Sequence, residues 1–343
     1  VFKVLNKKKI LTVFLILVFC TTLLTLNNKT KSNSFNVENL NLNNLQWIKT
    51  GGPIGGMGYD IRIHPVNHDI LYVTDVWGGV HKSIDGGKTW VQKNNGITTR
   101  TGPSGDAIPV FCLTINQKNP NLMWCGLQGF KAIYKSTDGG EHWVEKSNGI
   151  PNIPGITFRS FTFDPYNSDI VYAGCEVPNY NFQPTNEKLN ESTGKIFKTT
   201  DGGEHWIEIL DSKALVRWIL IDPRDTNVIY AATGIFDRGS KEDEGIWKST
   251  DGGRSWFHIN NGLDDLTVGG LDMDPDNPDI LYCSTGRYWG FGPKKDNIGR
   301  VYKTVDGGKT WKLILSVNHQ SINLVNVSPS NPCLLYTSPS PRD

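Results

Sequence analysis

The sequence carries no excess of charge. Across 343 residues, 35 Lys and Arg face 34 Asp and Glu, for a formal net charge of +1. That balance supplies no basic field for a phosphate backbone and no acidic tail, so no nucleic-acid partner is expected. Cysteine is sparse as well. Six are present with no CxxC pair, which argues against a zinc ribbon or a thioredoxin-type dithiol. There is no Ser nucleophile elbow, no P-loop and no GxGxxG run opening a helical pattern. No oxygen-ligand motif supports calcium, and the sequence points to no metal and no cofactor.

Long hydrophobic runs are missing except for one. Ile10 to Leu26 holds no charge and follows Lys3 and Lys7-Lys8-Lys9. A basic stretch before an apolar one reads as an export signal, and this run is short for a membrane span. Residues 1–26 are therefore expected to be a signal peptide or membrane anchor, and Asn-, Lys- and Ser-rich residues 27–44 a tether. The expected location is extracellular or in the cell envelope, with the N-terminal segment available as a membrane tether. At the other end, Cys333 to Asp343 resembles the translation of a transposase-type sequencing adapter. Residues 333–343 are accordingly set aside from the fold, with the natural chain expected to depart after about Pro332.

What is abundant is glycine, proline and tryptophan: 36, 18 and 11. Their placement is regular. Five segments run from Lys through Ser or Thr and Asp-Gly-Gly to Trp: Lys82 to Trp90, Lys135 to Trp143, Lys198 to Trp206, Lys248 to Trp256 and Lys303 to Trp311. A second motif precedes four of them: Ile63-His64-Pro65 to Tyr72, Phe163-Asp164-Pro165 to Tyr172, Ile221-Asp222-Pro223 to Tyr230, and Met273-Asp274-Pro275 to Tyr282. The copy around Asn119-Pro120 is degenerate, and Val327-Ser328-Pro329 opens a sixth.

Each unit decodes into four strands. An alternating run ends at Pro (strand A), and a turn leads into strand B, such as Ile70 to Thr74. A variable loop then precedes strand C, Asp-Gly-Gly makes a tight turn, and the Trp starts strand D. Asp-Gly between β runs is a hairpin signal, because Gly accepts positive φ and Asp bonds nearby backbone. Four strands per period of about 50 residues is a propeller blade. The expected fold is an all-β propeller over residues 45–332, with five complete blades and the start of a sixth. Leu45 to Lys49 resembles a strand D without its turn, and is expected to close the ring as an outer strand.

The turn pattern S/T-x-D-x-G-x-x-W is the Asp-box repeat, and all five copies fit it. The chain resembles the superfamily that holds sialidases, family 74 glycoside hydrolases, sortilin-type ectodomains and photosystem assembly factors. A structural role is expected for every box: Asp85 and Trp90, Asp138 and Trp143, Asp201 and Trp206, Asp251 and Trp256, Asp306 and Trp311. The carboxylates should bond their own turns, and the rings should pack between blades. His142 and His205 recur at one box position and read as turn residues.

Chemistry is then expected on the opposite face, where the B–C loops are unequal: Asp75 to Gly78, Leu127 to Lys131, Glu176 to Gly194, Phe236 to Glu244, Arg287 to Gly299. Gly51 to Tyr59 together with Leu71-Tyr72-Val73-Thr74-Asp75 is similar to the opening of family 74 xyloglucan hydrolases. That resemblance implies a secreted, inverting, two-carboxylate glycosidase acting on β-glucan polysaccharide, with Asp75 as general base and the acid supplied by a second propeller. Here Trp77 stands between Val76 and Gly78, a departure from the family's turn. Asp75 also fits a loop carboxylate that caps its own turn.

Exposed rings stack on sugar faces, so Tyr59, Trp77, Tyr180, Phe182, Tyr288, Trp289 and Phe291 are candidate polysaccharide contacts. Arg159 and Arg217 each lie six residues before the strand-A Pro, with Arg62 near that place in blade one. They suit a carboxylate clamp as in an exo-sialidase, a cleft lining, or structural pairs with Asp164 and Asp222. Asp237 with Glu242-Asp243-Glu244 reads as a solvated loop tip. Cys112 and Cys125 flank one turn and are read either as facing partners or as small buried hydrophobes. A non-catalytic propeller that binds glycan or protein is the alternative to the hydrolase. A monomer is expected in either case.

Overall fold

The computed structural model describes residues 2–3, 48–49, 58–177, 193–234, 243–286, 298–318, 321–328 and 331–339. Five antiparallel four-stranded sheets follow one another along the chain. Blade one is Gly58–Ile63, Leu71–Asp75, Gly79–Ser83 and Val91–Gln92. Blade two is Val110–Ile115, Met123–Leu127, Ile133–Ser136 and Val144–Glu145. Blade three is Thr157–Phe163, Val171–Val177, Thr193–Thr199 and Ile207–Ser212. Blade four is Val216–Ile221, Ile229–Thr233, Gly245–Ser249 and Phe257–His258. Blade five is Val268–Met273, Leu281–Thr285, Ile298–Thr304 and Lys312–Asn318. The chain is an all-β propeller of four-stranded blades, as the repeat predicts. Among the described residues there is no helix long and apolar enough to cross a membrane.

Strand order in space is strand order in sequence, A to D. The A strands of successive blades pack on one another and lie inside, while the D strands are the most exposed. Strand B is buried throughout in blades one, two, four and five, so it reads as a continuous apolar run rather than an alternating one.

Each box turn is closed by its own side chains. In blade one, Asp85 Oδ1 accepts from Ser83 Oγ at 2.8 Å and from the Lys88 and Thr89 amides at 2.9 Å, and Oδ2 accepts from Thr89 Oγ1 at 2.7 Å. The pattern repeats at Asp138, Asp201, Asp251 and Asp306, with His142 and His205 supplying Nδ1 to Oδ2 in the second and third boxes. Both glycines of every box have positive φ, which only glycine adopts without strain.

The boxes also join neighbours. The indole N–H of Trp143, Trp206, Trp256 and Trp311 donates to the carbonyl of Lys93, Lys146, Ile209 and Ile259 in the blade before, at 2.7–3.0 Å. From the other side, Lys82, Lys135, Lys198 and Lys248 donate to the carbonyl of the first box glycine in the blade after, at 2.8–3.2 Å. Each of these lysines lies over a buried ring on strand B: Tyr72, Trp124, Tyr172 and Tyr230.

Three details differ from expectation. Ile48–Lys49 pairs with Phe2–Lys3 rather than with the outer strand of a blade. The sheet it would complete has two strands among the described residues, Ile322–Ser328 and Asn331–Pro339. Second, Asn331–Pro339 overlaps the segment 333–343 set aside from the fold, yet it pairs along strand A of blade six. An open strand edge accepts any β-competent run, and Leu334-Leu335-Tyr336-Thr337 is one. Asp272 helps to hold that strand A: its Oδ2 accepts the Val327 amide at 2.7 Å, and burial pushes its carboxyl up to about 6. Third, Cys112 and Cys125 do not face each other. Cys112 pairs with Gly126 and Cys125 with Leu113, so the two thiols lie on opposite faces of the sheet, in different core clusters. All four described cysteines are free and buried.

Two outcomes test the box geometry. Trp143→Ala should cost about 3–5 kcal/mol in urea denaturation, because the ring is buried and bridges two blades. Trp90→Ala should cost under half of that, since its half-buried indole bonds only Gly87 in its own turn. Equal losses would refute the bridging role. The second outcome concerns acid. Hydrogen bonds hold the box carboxyls below the ordinary value near 3.9, with Asp138 at about 2 despite the little burial that opposes this. The folded state therefore binds fewer protons than the unfolded one. The contribution is complete above about pH 4 and is lost as pH falls from there towards 2. The melting-temperature gap between wild type and Asp138→Asn should shrink over that window, and a constant gap would contradict it.

Candidate functional site at the loop face

The start of strand A and the end of strand B lie at one face, opposite the boxes. There every strand A carries a one-residue bulge at the same place. Register shifts fall at Tyr59, Phe111, Arg159, Arg217, Gly269 and Asn323, in blades one to six. A bulged residue has no partner opposite it and is re-aimed by the extra turn of the strand. The six bulges thus put one residue per blade at the same level of strand A, a glycine in blade five.

The first three touch in sequence. The Tyr59 and Phe111 rings stack with centroids 4.0 Å apart, and the Arg159 guanidinium lies 4.3 Å from the Phe111 centroid. Arg159 Nη2 also bonds Glu176 Oε2, just past the strand-B position of Cys175. Tyr59 is 37% exposed and forms the open end of this column.

Asp75 stands beside the first bulge. It is the last residue of strand B, pairs with Gly58, and is only 3% exposed. Its Oδ1 accepts the amides of Trp77 and Gly78, both at 2.7 Å, so the carboxylate caps the turn that follows it. The corresponding strand-B positions in blades two to five are Leu127, Cys175, Thr233 and Thr285, so among these five described positions Asp75 is the carboxylate. His81 comes close from strand C. A Cβ added to Gly78 would lie 2.7 Å from His81 Cε1 and 3.5 Å from Asp75 Oδ1. Burial pushes the His81 imidazole down, and the Asp75 charge partly offsets this. Trp77, 51% exposed, lies over Gly102 of the next loop and accepts the Ile108 amide on its carbonyl.

Other expected residues fall elsewhere. Arg62 is not the blade-one counterpart of Arg159; Tyr59 is. Arg62 instead donates through Nε to the Leu113 carbonyl at 2.6 Å and pairs with Asp60, tying blades one and two. Asp164 caps its own turn, accepting the Tyr166 and Asn167 amides, and Asp222 is held by Arg224. Asp243 and Glu244 are not a solvated tip. Asp243 adopts φ 64°, a conformation Asp tolerates, and its Oδ2 caps the Lys213 amide; Glu244 is buried. Tyr180, Phe182, Tyr288, Trp289, Phe291, Asp237 and Glu242 lie outside the described residues.

Phe111 was missed by the sequence pattern. Blade two has Gln117 where the others have the strand-A Pro, so the six-residue spacing that marks Arg159 and Arg217 has no anchor there. His81 looked like one more strand residue.

No protein-family model matches the chain. Among curated proteins, it is 25% identical over 238 residues to a probable oligoxyloglucan-reducing end-specific xyloglucanase of Neosartorya fischeri, covering 58% of this chain and 26% of that protein. It is 24% identical over 279 residues to Xyloglucanase Xgh74A of Acetivibrio thermocellus, covering 74% and 32%. It is also 25% identical over 201 residues to the photosystem II assembly lipoprotein Ycf48 of a Synechococcus species, covering 58% and 48%. The chain spans about a quarter to a third of the length of the xyloglucanases it matches. The crystal structure of the Niastella koreensis GH74 enzyme superposes with a TM-score of 0.59 at 21% identity, over 82% of this chain and 43% of that one. The chain is therefore similar in sequence to family 74 xyloglucanases and shares their propeller fold.

Proposed function

We propose that this propeller belongs to an exported glycoside hydrolase acting on a β-glucan of the xyloglucan type, with Asp75 as general base. The observation that carries the reading is Asp75 itself, a carboxylate at the inner end of strand B beside a stacked aromatic column. An inverting hydrolase needs such a base and a second carboxylate roughly 6.5–9.5 Å away to protonate the leaving oxygen. With Oδ1 fixed by two amides, the turn would orient Oδ2 to take a proton from water. Tyr59, Phe111 and Trp77 would stack on sugar faces, and the acid would come from outside the described residues. The basic-then-apolar opening of the chain supports export.

A second reading has its own support. The likeness to Ycf48, named as an assembly factor, and the turn-capping bonds of Asp75 both suit a propeller that binds without catalysing. The two readings separate at Asp75. Asn keeps the oxygen that caps the turn but cannot act as base. Asp75→Asn should leave the melting temperature unchanged and abolish release of reducing ends from xyloglucan. Asp75→Ala should lose the cap as well, costing about 1–3 kcal/mol. Hydrolysis that survives in the Asn variant removes Asp75 as base. Xyloglucan binding without hydrolysis in the wild type favours the second reading.

A further inference from the structure

Two of the departures that blade one makes from the repeat meet in space. In blades two to five, strand C carries an aromatic ring directly before the lysine that joins the next blade: Tyr134, Phe197, Trp247 and Tyr302. Blade one carries His81 at that place, paired with Val73. It also carries Asp75 where the other four have Leu127, Cys175, Thr233 and Thr285. Asp75 pairs with Gly79 two places along the same ladder, so carboxylate and imidazole are diagonal neighbours on one face of the sheet. Gly78 keeps the space between them clear. Its φ is not positive, so the backbone does not demand glycine, but a Cβ there would lie 2.7 Å from His81 Cε1. Close approach of the imidazole is what calls for it.

His81 is 4% exposed, and its Nδ1 is buried with no hydrogen-bond partner. The polar tips of Tyr134, Trp247 and Tyr302 are bonded, to Thr99 Oγ1, the Asp243 carbonyl and the Asp264 amide. A hydrocarbon ring fills this place at no polar cost, as Phe197 does in blade three. What an imidazole adds to such a ring is the capacity to take a proton. The charged groups around it are few. Strand D places Gln92 opposite, Lys82 on its own strand turns to the other face and lies over Tyr72, and strand A of blade two, Val110–Ile115, carries no charge. Among the described residues, Asp75 is the ionisable group that acts on His81.

We propose that His81 is a positioning residue that acts through Asp75: the two form a coupled acid–base pair, in which the imidazole takes the first proton in acid and, as a cation, keeps the neighbouring carboxylate ionised. Its catalytic consequence rests on the reading of Asp75 as general base; the coupling itself does not. An imidazole ordinarily protonates at about 6.5 and an aspartate at about 3.9, so the ring fills first. Opposite charges on adjoining side chains then each favour the ionised form of the other. Burial disfavours the imidazolium and the Asp75 charge favours it, so the ring is neutral at neutral pH and charges only in acid. The pair thereby extends the range over which the carboxylate can accept a proton from water.

The test is a nuclear magnetic resonance titration of the histidine rings of the whole chain, wild type against Asp75→Asn, which keeps the turn cap. The chain has seven histidines, and the His81 signal is the one missing from His81→Gln, or from His81→Phe should Gln impair folding. The His81 midpoint should fall by about one pH unit in Asp75→Asn, because the charge that favours the imidazolium is gone. An unchanged midpoint overturns the coupling, whether or not the protein hydrolyses any glycan. The second measurement is the pH profile of kcat/KM on xyloglucan. Its acid limb should move up by about one pH unit in His81→Gln. A loss by the same factor at every pH marks a ring that only fills space, which overturns the positioning role and leaves Asp75 as base. A midpoint that falls as expected in a protein that hydrolyses nothing upholds the pair and removes the catalytic reading of Asp75.

Discussion

The structure depends on the junction between one box turn and the blade before it. A single blade has two apolar faces and cannot bury either alone. The box solves this locally. Its Asp closes the turn, which fixes the Trp ring against the preceding blade and presents the first glycine carbonyl to a Lys that already lies on a buried ring. Geometry makes the glycines obligatory. A Cβ on Gly203 would stand 2.2 Å from Trp124, and one on Gly308 would stand 2.3 Å from Ile259. The turn therefore sets blade spacing as well as chain direction, and the five copies give four nearly identical junctions between successive blades.

That regularity separates the two ends of the array. The box face is used up by the junctions, so its residues are fixed by packing. The loop face carries no such burden, and its residues vary: Asp75, Leu127, Cys175, Thr233 and Thr285 share one position. The bulge in strand A adds a second variable ring inside the first. A repeat with constant junctions and free inner positions can hold a lopsided site, aromatic on one side and cationic on the other, without disturbing its own assembly.

Much of the fold was legible because the junction is written locally. Asp-Gly-Gly and the following Trp mark the turn, and Pro marks the end of strand A. Even the length of strand D has a sequence sign. Blades one, two and four place Gly96, Gly149 and Gly262 six residues past the box Trp, and strand D there is two residues long. Blades three and five lack that glycine and run on to Ser212 and Asn318. The candidate site was less legible. Asp75 and Trp77 stood out as breaks in the repeat, whereas the bulge is a property of register between two strands. Arg62 and Tyr59 are close in sequence, yet only the shift between Gly58 and Asp60 decides which of them faces the ring position of Arg159.

Asp75 shows how scaffold and chemistry share one group. Binding Oδ1 to two amides stabilises the turn and also immobilises the carboxylate, which a catalytic base requires. The same bonds thus serve either use. Thr285, at the matching position in blade five, is the opposite case, since its buried hydroxyl has no hydrogen-bond partner among the described residues. A residue that stabilises the scaffold needs no ligand to justify it, whereas one that costs stability does. By that criterion the well-bonded aspartate that first drew notice in the sequence does not by itself call for a ligand.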